Sequence, residues 1–349
     1  MSTSTPALVV DQPGGPFVAR TVERRALRDD DVAIAISHAG ICHSDIHQVR
    51  EEWGRAIFPM VPGHEIAGVV TEIGAAVTDV RVGDRVGVGC MVNSCGECAM
   101  CKDGFEQHCE RGAVMTYNGR DYDGVVTLGG YSRSVVVGER FVCPIPEGIS
   151  SAEAAPLLCA GITTYSPLRR WGVGPGSRVG VLGLGGLGHM GVKFAAAMGA
   201  EVTVFSRTSA KAADALALGA SRHVATSDPD ALRPLRNHFD VLLNTVSADL
   251  DMNAHLRTVR PRGVMVNVGL PGGDYGVRPS MLVGNSRVLA GSNIGGIAET
   301  REMLEFAAAH GLGASVEVID ADDVADAYDR VVAGDVRYRY VIDVSTIEA

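Results

Sequence analysis

Four cysteines fall within a short stretch of this chain, at Cys95, Cys98, Cys101 and Cys109. Their spacing is C-x2-C-x2-C-x7-C, which brings four thiolates into one loop. Four thiolates complete the tetrahedral coordination of Zn²⁺ and leave no open position. The spacing therefore predicts a closed zinc site with a structural role.

Two disulfides or an iron–sulfur cluster would also use four cysteines. The N-terminal segment Met-Ser-Thr-Ser-Thr-Pro lacks the charged and apolar stretches of a signal peptide, so we expect a cytoplasmic protein. Disulfides are rare in that compartment. The bacterial ferredoxin run closes with a shorter gap and a proline, whereas Glu110 follows the last cysteine here. Zinc is the interpretation that these observations favour.

Length and composition limit the number of domains and the class of partner. At about 100–200 residues per domain, a chain of 349 residues suggests two domains. A net charge of −10 argues against nucleic acid, because a polyanion needs a basic surface. No apolar run approaches the ~18 residues of a membrane span, so we expect no membrane partner.

The pattern of apolar, glycine and proline residues changes twice along the chain. Residues 1–156 contain short β-branched runs bounded by glycine and proline, which is typical of a folded-up barrel. Residues 157–295 alternate apolar strands with alanine-rich helices, which predicts a parallel βαβ sheet. The tail, 296–349, is expected to rejoin the first domain. The predicted strands are 178–182, 201–205, 240–245, 263–268, 287–290 and 339–344, and the predicted helices are 187–198, 209–218 and 298–310.

A glycine-rich turn follows the first strand of the middle stretch. Residues 183–188 read Gly-Leu-Gly-Gly-Leu-Gly, between an apolar strand and a helix. Gly183 permits the tight turn, Gly185 lets the backbone approach a pyrophosphate, and Gly188 lets helix and strand pack closely. Gly186 and Leu187 complete the turn. The whole segment predicts a dinucleotide site at a helix N-terminus rather than a turn without a ligand.

The end of the next strand indicates which dinucleotide binds. An NAD site usually places an acid there, on the ribose 2′-OH. This strand ends instead in Ser206, Arg207 and Thr208, with Lys211 beyond them. Hydroxyl groups and cations suit a 2′-phosphate, so NADP(H) is predicted. An ordinary solvated helix start, which Ser and Thr cap well, is the alternative.

Three scattered residues form a candidate set for a second zinc site. They are Cys42, His64 and Cys159, and two thiolates with one imidazole leave an open catalytic position on zinc. Taken singly, each is typical of a buried core position. Beside a zinc loop and a dinucleotide site, together they favour a catalytic metal.

The motifs resemble one family over nearly the full length. The chain is similar to the zinc-dependent medium-chain alcohol dehydrogenases, and above all to their cinnamyl-alcohol-dehydrogenase branch and its bacterial NADP-dependent relatives. The resemblance implies a discontinuous, β-rich GroES-like catalytic domain at 1–156 and 296–349. It implies a Rossmann NADP-binding domain with a doubly wound parallel sheet at 157–295. The motifs are the four-cysteine loop and residues 40–47, 61–65, 82–87, 158–163, 183–189, 290–296 and 335–340.

The resemblance also implies roles for single residues. The three candidate ligands match the catalytic zinc ligands of the family. Asp45 matches the acid that orients the ligand histidine, and Glu65 matches a carboxylate that sits behind the metal. Ser44 and His47 match a proton relay. Further positions match cofactor contacts, namely His43, Thr163, Val246, Gly269, Ser292, Asn293, Ile294 and Arg337.

The implied activity is reversible hydride transfer between NADP(H) and primary alcohols or aldehydes, aromatic or longer aliphatic, with two Zn²⁺ per chain. Trp53, near Gln48 and Arg55, offers a flat apolar surface to such a substrate or packs in the core. Two alternatives are an NAD-dependent alcohol or polyol dehydrogenase of the same superfamily and a non-catalytic scaffold. Pairing through the last strand of the nucleotide domain implies a homodimer or a dimer-based tetramer.

Overall fold

A computed structural model describes residues 3–228 and 230–349. The chain groups into two compact units, Met1–Ile162 with Gly295–Ala349 and Thr163–Ile294. The sequence predicts the corresponding domain boundaries at 156/157 and 295/296, and that division into domains stays a prediction. No helix in the described part of the chain is long and apolar enough to cross a membrane.

The first unit begins with short strands and three short helices. The strands are β1 (Thr3–Val9), β2 (Val18–Arg24), β3 (Asp31–Gly40), β4 (Ile66–Ile73), β5 (Arg85–Val88), β6 (Met91–Asn93), β7 (Val114–Met115), β8 (Ser134–Gly138) and β9 (Cys143–Pro144). The helices are α1 (His43–Val49), α2 (Ala99–Lys102) and α3 (Ser151–Ala154). A capping box begins α3, where the Glu153 N–H donates to Ser150 Oγ at 3.3 Å.

The second unit is a parallel sheet with helical connections. Its strands are β10 (Arg178–Leu182), β11 (Glu201–Ser206), β12 (Arg222–Ala225), β13 (Phe239–Asn244), β14 (Val259–Asn267) and β15 (Val288–Gly291). Helix α4 (Ala160–Arg170) runs through the unit boundary, and α5 (Gly188–Ala197), α6 (Ala212–Ala217), α7 (Met252–Leu256) and α8 (Pro279–Val283) follow. The strand order β12-β11-β10-β13-β14-β15 is the doubly wound Rossmann order.

The C-terminal segment returns to the first unit through a strand pairing. It contains α9 (Ile297–Ala309), β16 (Val316–Ile319), α10 (Val324–Ala333) and β17 (Arg339–Asp343). Strand β17 pairs antiparallel with β3, and Val341 lies opposite Gly40. The main sheet of this unit has the order β16-β17-β3-β4-β5-β9, with β8 also on β3.

The strongly apolar strands are where the sequence predicted them, and weaker elements differ. Strand β10 has the predicted bounds, and α9 begins and ends one residue earlier than predicted. The predicted helix 209–218 starts as a 3₁₀ turn, Ser209–Lys211, and Thr208 caps that turn by accepting from the Ala210 N–H. Strand β12 and helix α10 were not predicted.

The core of the second unit is built around central strands that are buried on both faces of the sheet. Val179, Val181, Val202 and Val204 are fully buried on β10 and β11. Such continuous apolar strands are typical of a parallel sheet with helices on both faces. Gly188 lies where the start of α5 comes closest to the preceding turn.

Adding one methyl group at Gly188 tests the close packing of α5 against the preceding turn. A Cβ at Gly188 would lie 2.1 Å from the Gly183 carbonyl oxygen, so Gly188→Ala should destabilise the protein by about 1–3 kcal/mol through overpacking. Calorimetric melting measures the change. Gly185→Ala is the control, because its Cβ would meet nothing within 4 Å. Equal melting temperatures for both variants would contradict this packing.

Candidate active site

The three residues of the second candidate zinc site lie together in the first unit. One ligand atom each of Cys42, His64, Glu65 and Cys159 lies within 4.8 Å of the others, and all four residues are buried. Cys42 Sγ lies 4.0 Å from Cys159 Sγ, and His64 Nε2 lies 3.2 Å from the same sulfur. Residues far apart in sequence thus present two sulfurs, one nitrogen and one oxygen to one point.

The start of helix α1 explains how Cys42 is positioned. Cys42 is the N-cap of α1, and Asp45, three residues later, accepts its backbone N–H at 2.9 Å. The same fully buried carboxylate accepts from His64 Nδ1 at 3.0 Å and from the Gly63 N–H at 3.2 Å. The Tyr131 hydroxyl donates to it at 3.3 Å. Because Nδ1 donates to Asp45, Nε2 is the nitrogen of His64 that points into the cluster.

The charges of the cluster suit a bound cation. The hydrogen bond with Cys159 lowers the pKa of Cys42 well below its usual value, although burial opposes this. Burial alone would lower the pKa of His64, but the Asp45 carboxylate, Cys90 and Cys42 together raise that pKa well above its usual value. A divalent cation can replace the proton that these groups hold between them.

A buried ion pair stands behind the cluster. Arg339 Nη2 donates to Glu65 Oε1, and both side chains are buried. Glu65 Oε2 has no hydrogen-bond partner within 3–228 and 230–349. Burial raises the pKa of Glu65 to about 7, although the Arg339 guanidinium opposes this rise. An unpartnered carboxylate oxygen among sulfur and imidazole ligands fits Zn²⁺. The absence of a side chain at Gly40 leaves room for it, since a Cβ there would lie 2.0 Å from Oε2.

Arg339 was not predicted as a site residue, whereas Arg337 was predicted as a cofactor contact, which stays a prediction. The available signal was a cation inside the otherwise apolar last strand. A buried guanidinium requires hydrogen-bond partners, but sequence spacing does not say which. Arg337 lies two residues earlier, where its backbone N–H donates to Glu317 Oε1 at 3.0 Å.

The predicted proton relay lies on α1 and has an additional member. Ser44 Oγ is 3.6 Å from Cys42 Sγ. His47 Nδ1 is hydrogen-bonded to Glu52, which sequence analysis missed because it lies beyond the helix. The His47 ring stacks on Trp53, with centroids 4.7 Å apart and planes at 26°. Trp53 is 45% exposed, so the core-packing interpretation of this residue is wrong.

The four-cysteine loop also forms one cluster. Its four sulfurs lie within 4.8 Å of one another, with Cys95 Sγ 3.9 Å from Cys101 Sγ. Backbone N–H groups point at the sulfurs. The Cys98 N–H donates to Cys95 Sγ at 3.4 Å, and the Cys95 N–H donates to Cys109 Sγ at 3.4 Å. All eight cysteines are free, so the disulfide alternative is wrong. Four sulfurs with amide donors fit a closed zinc site.

The predicted dinucleotide turn lies in the second unit. Gly183 has φ +89°, a value that favours glycine, and its N–H donates to the Phe205 carbonyl at 2.8 Å. A Cβ at Gly185 would meet nothing within 4 Å, which leaves the backbone open to a ligand. Gly186 and Leu187 lead into α5, whose N-terminal amides can bind a pyrophosphate. This cradle fits a dinucleotide.

The predicted 2′-phosphate residues surround the end of β11. Ser206 Oγ donates to the Thr208 carbonyl at 2.8 Å and lies 2.7 Å from His223 Nε2. Lys211 Nζ donates to the Leu184 carbonyl of the glycine turn at 3.0 Å. Hydroxyl groups and an ammonium group therefore occupy the position where an acid would contact a ribose.

The remaining predicted cofactor residues are divided between the two units. Arg207 is exposed, and its carbonyl accepts from the Ser227 N–H at 3.0 Å. Thr163, Val246, Gly269, Ser292, Asn293 and Ile294 lie in the second unit, whereas His43 and Arg337 lie in the first. Their contacts with a nucleotide stay predictions.

Comparison with known proteins agrees with this arrangement. Residues 28–147 match the alcohol dehydrogenase GroES-like domain, and residues 186–309 match zinc-binding dehydrogenase. A probable formaldehyde dehydrogenase, AdhA, from Bacillus subtilis is 55% identical over 343 residues, 98% of each chain. NADP-dependent alcohol dehydrogenase C from Mycobacterium bovis is 55% identical over 332 residues, 95% of this chain and 96% of the relative.

A solved structure shows the same fold. The cinnamyl alcohol dehydrogenase of Sorghum bicolor matches with a TM-score of 0.96 at 40% identity, over 99% of this chain and 100% of the other. The predicted fold class, a GroES-like domain with a Rossmann domain, is confirmed. So is the predicted family: the chain belongs to the zinc-binding alcohol dehydrogenases.

Proposed function

We propose that this protein is an NADP(H)-dependent alcohol dehydrogenase that interconverts primary alcohols and aldehydes. The observation that carries the proposal is the buried cluster of Cys42, His64 and Cys159, with Asp45 behind the histidine. In our proposal these three residues hold the catalytic zinc, and the four-cysteine loop holds a structural zinc. When bound, the catalytic metal supplies Lewis-acid polarisation of a substrate oxygen and NADP(H) supplies hydride chemistry.

The side chains on α1 are proposed to move the proton. Ser44, beside Cys42, accepts the hydroxyl proton of an alcohol as it gives up its own proton toward His47, and His47 passes a proton on to solvent. Glu52 binds Nδ1 of His47, so Nε2 is left as the nitrogen that exchanges the proton. In the reverse direction the same groups deliver a proton to the nascent alcohol.

The substrate class is proposed from the surface beside the relay. The exposed indole of Trp53 stacks on His47 and offers a flat apolar face to an aromatic or longer aliphatic substrate. The similarity to a cinnamyl alcohol dehydrogenase supports an aromatic substrate. The relative named as a probable formaldehyde dehydrogenase supports formaldehyde as a second candidate.

The structure also supports proposals about assembly and compartment. Strand β15 lies at one edge of the six-stranded sheet, where Val288 is exposed. Such an apolar edge invites pairing with a second copy, so we propose a homodimer or a dimer-based tetramer. Eight free cysteines support the reducing environment of the cytoplasm.

Metal analysis of three cysteine variants tests the proposed function. The two clusters lead us to expect two zinc ions per chain. Cys42→Ala should remain folded, lose one of them and lose the NADPH-dependent reduction of cinnamaldehyde. Cys101→Ala should instead lower the melting temperature, because structural zinc binding is largely folding free energy.

The control is Cys143→Ala, which removes a buried thiol that belongs to neither cluster. It should retain both metals and the activity. Plasma mass spectrometry with melting curves distinguishes these outcomes. A well-folded, active parent protein with a single zinc would contradict the assignment.

Variants at the end of β11 test the cofactor proposal. A charge-assisted hydrogen bond contributes roughly 1.5–3 kcal/mol, so Arg207→Ala should raise the KM for NADPH by about ten- to a hundredfold. The KM for NADH should change little. Ser206→Asp should repel the 2′-phosphate, accept from a 2′-hydroxyl and shift the preference toward NADH.

Arg233→Ala is the matched control for Arg207→Ala, since it removes a well-exposed guanidinium of the same unit. It should leave both KM values unchanged. Steady-state kinetics with each nucleotide provide the measurement. Equal kcat/KM values for NADH and NADPH in the parent enzyme would count against the proposal.

A further inference from the structure

His223 lies directly behind the strand end proposed to bind the 2′-phosphate. It belongs to β12, the strand parallel to β11, and its Cα pairs with Val204. Its Nε2 lies 2.7 Å from Ser206 Oγ, and both residues are partly buried. Burial lowers the pKa of His223, which favours the neutral imidazole. No motif in the sequence marks this residue.

The proton of Ser206 determines which tautomer His223 adopts. A hydroxyl group has one proton, and the Thr208 carbonyl at 2.8 Å can only accept it. The short contact to His223 is then satisfied only if Nε2 carries a hydrogen and donates to Oγ. His223 is therefore the donor and Ser206 the acceptor in this pair.

The backbone around Ser206 is fixed while its hydroxyl can turn. The Thr226 N–H donates to the Ser206 carbonyl at 2.9 Å, and the Ser227 N–H donates to the Arg207 carbonyl at 3.0 Å. Rotation about the Cβ–Oγ bond can take the Ser206 proton from the Thr208 carbonyl to a new acceptor, while Oγ keeps its contact with His223. An anionic phosphate oxygen is a stronger acceptor than a backbone carbonyl.

We propose that His223 is a positioning residue for the 2′-phosphate of NADP(H). Its Nε2–H donates to Ser206 Oγ, so the single proton of that hydroxyl group is directed away from His223 and is available to the phosphate. NADH has no phosphate at this position, so the effect is specific to NADPH. This inference rests on the proposed NADP(H) dependence.

Nucleotide binding without substrate tests the role of His223. Fluorescence titration of the zinc-loaded, full-length protein gives the Kd for NADPH and for NADH. A neutral hydrogen bond contributes roughly 0.5–1.5 kcal/mol, so His223→Phe should weaken NADPH binding about two- to tenfold and leave NADH binding unchanged. His223→Leu, which also lacks a donor, should behave in the same way.

Two further variants separate the donor role from a structural one. His223→Gln retains an N–H donor and should recover most of the NADPH affinity. In a Ser206→Ala background, His223→Phe should cause no further loss, since the two residues act through one hydrogen bond. Melting temperatures and the Kd for NADH show whether each variant is folded.

The outcomes distinguish this inference from the proposed function. An unchanged NADPH-to-NADH affinity ratio in both donor-less variants would overturn the role of His223 alone. The same would follow if His223→Phe had its full effect in the Ser206→Ala background. A parent protein that binds NADPH no more tightly than NADH would overturn the cofactor preference itself, and this inference with it.

Discussion

The buried carboxylate of Asp45 is the interaction on which the candidate metal centre depends. It accepts from the backbone of Cys42 at the start of α1 and from His64 Nδ1, and so joins two ligands from separate parts of the chain. A fully buried carboxylate is costly unless several donors satisfy it, and Gly63 and Tyr131 supply two more. Outer partners of this kind typically contribute about ten- to a hundredfold to metal affinity.

The discontinuous first unit has a direct consequence for this centre. Because β17 pairs with β3, Arg339 is buried against Glu65, and the Tyr340 carbonyl accepts the Ile41 N–H at 2.9 Å. The C-terminal strand thereby fixes both the chain before Cys42 and the carboxylate beside the metal ligands. The return of the chain to the first unit after residue 294 is thus part of how the site is built.

The sequence predicts what local spacing and apolar runs encode. The four-cysteine loop, the glycine turn and the bounds of β10 follow from such patterns, and resemblance to the family adds the scattered ligands. Glu52, Arg339 and His223 were missed for a shared reason. Each acquires its partner through a loop or a strand pairing that no periodicity specifies, and β12 is too short and polar at its start to be recognised.

The most direct test of the account is an anomalous difference map from crystals of the active enzyme, collected at the zinc absorption edge. We expect two peaks per chain, one inside the four-cysteine loop and one bounded by Cys42 Sγ, His64 Nε2 and Cys159 Sγ. A single peak in the loop, with no metal among the other three residues of a catalytically active crystal, would contradict it.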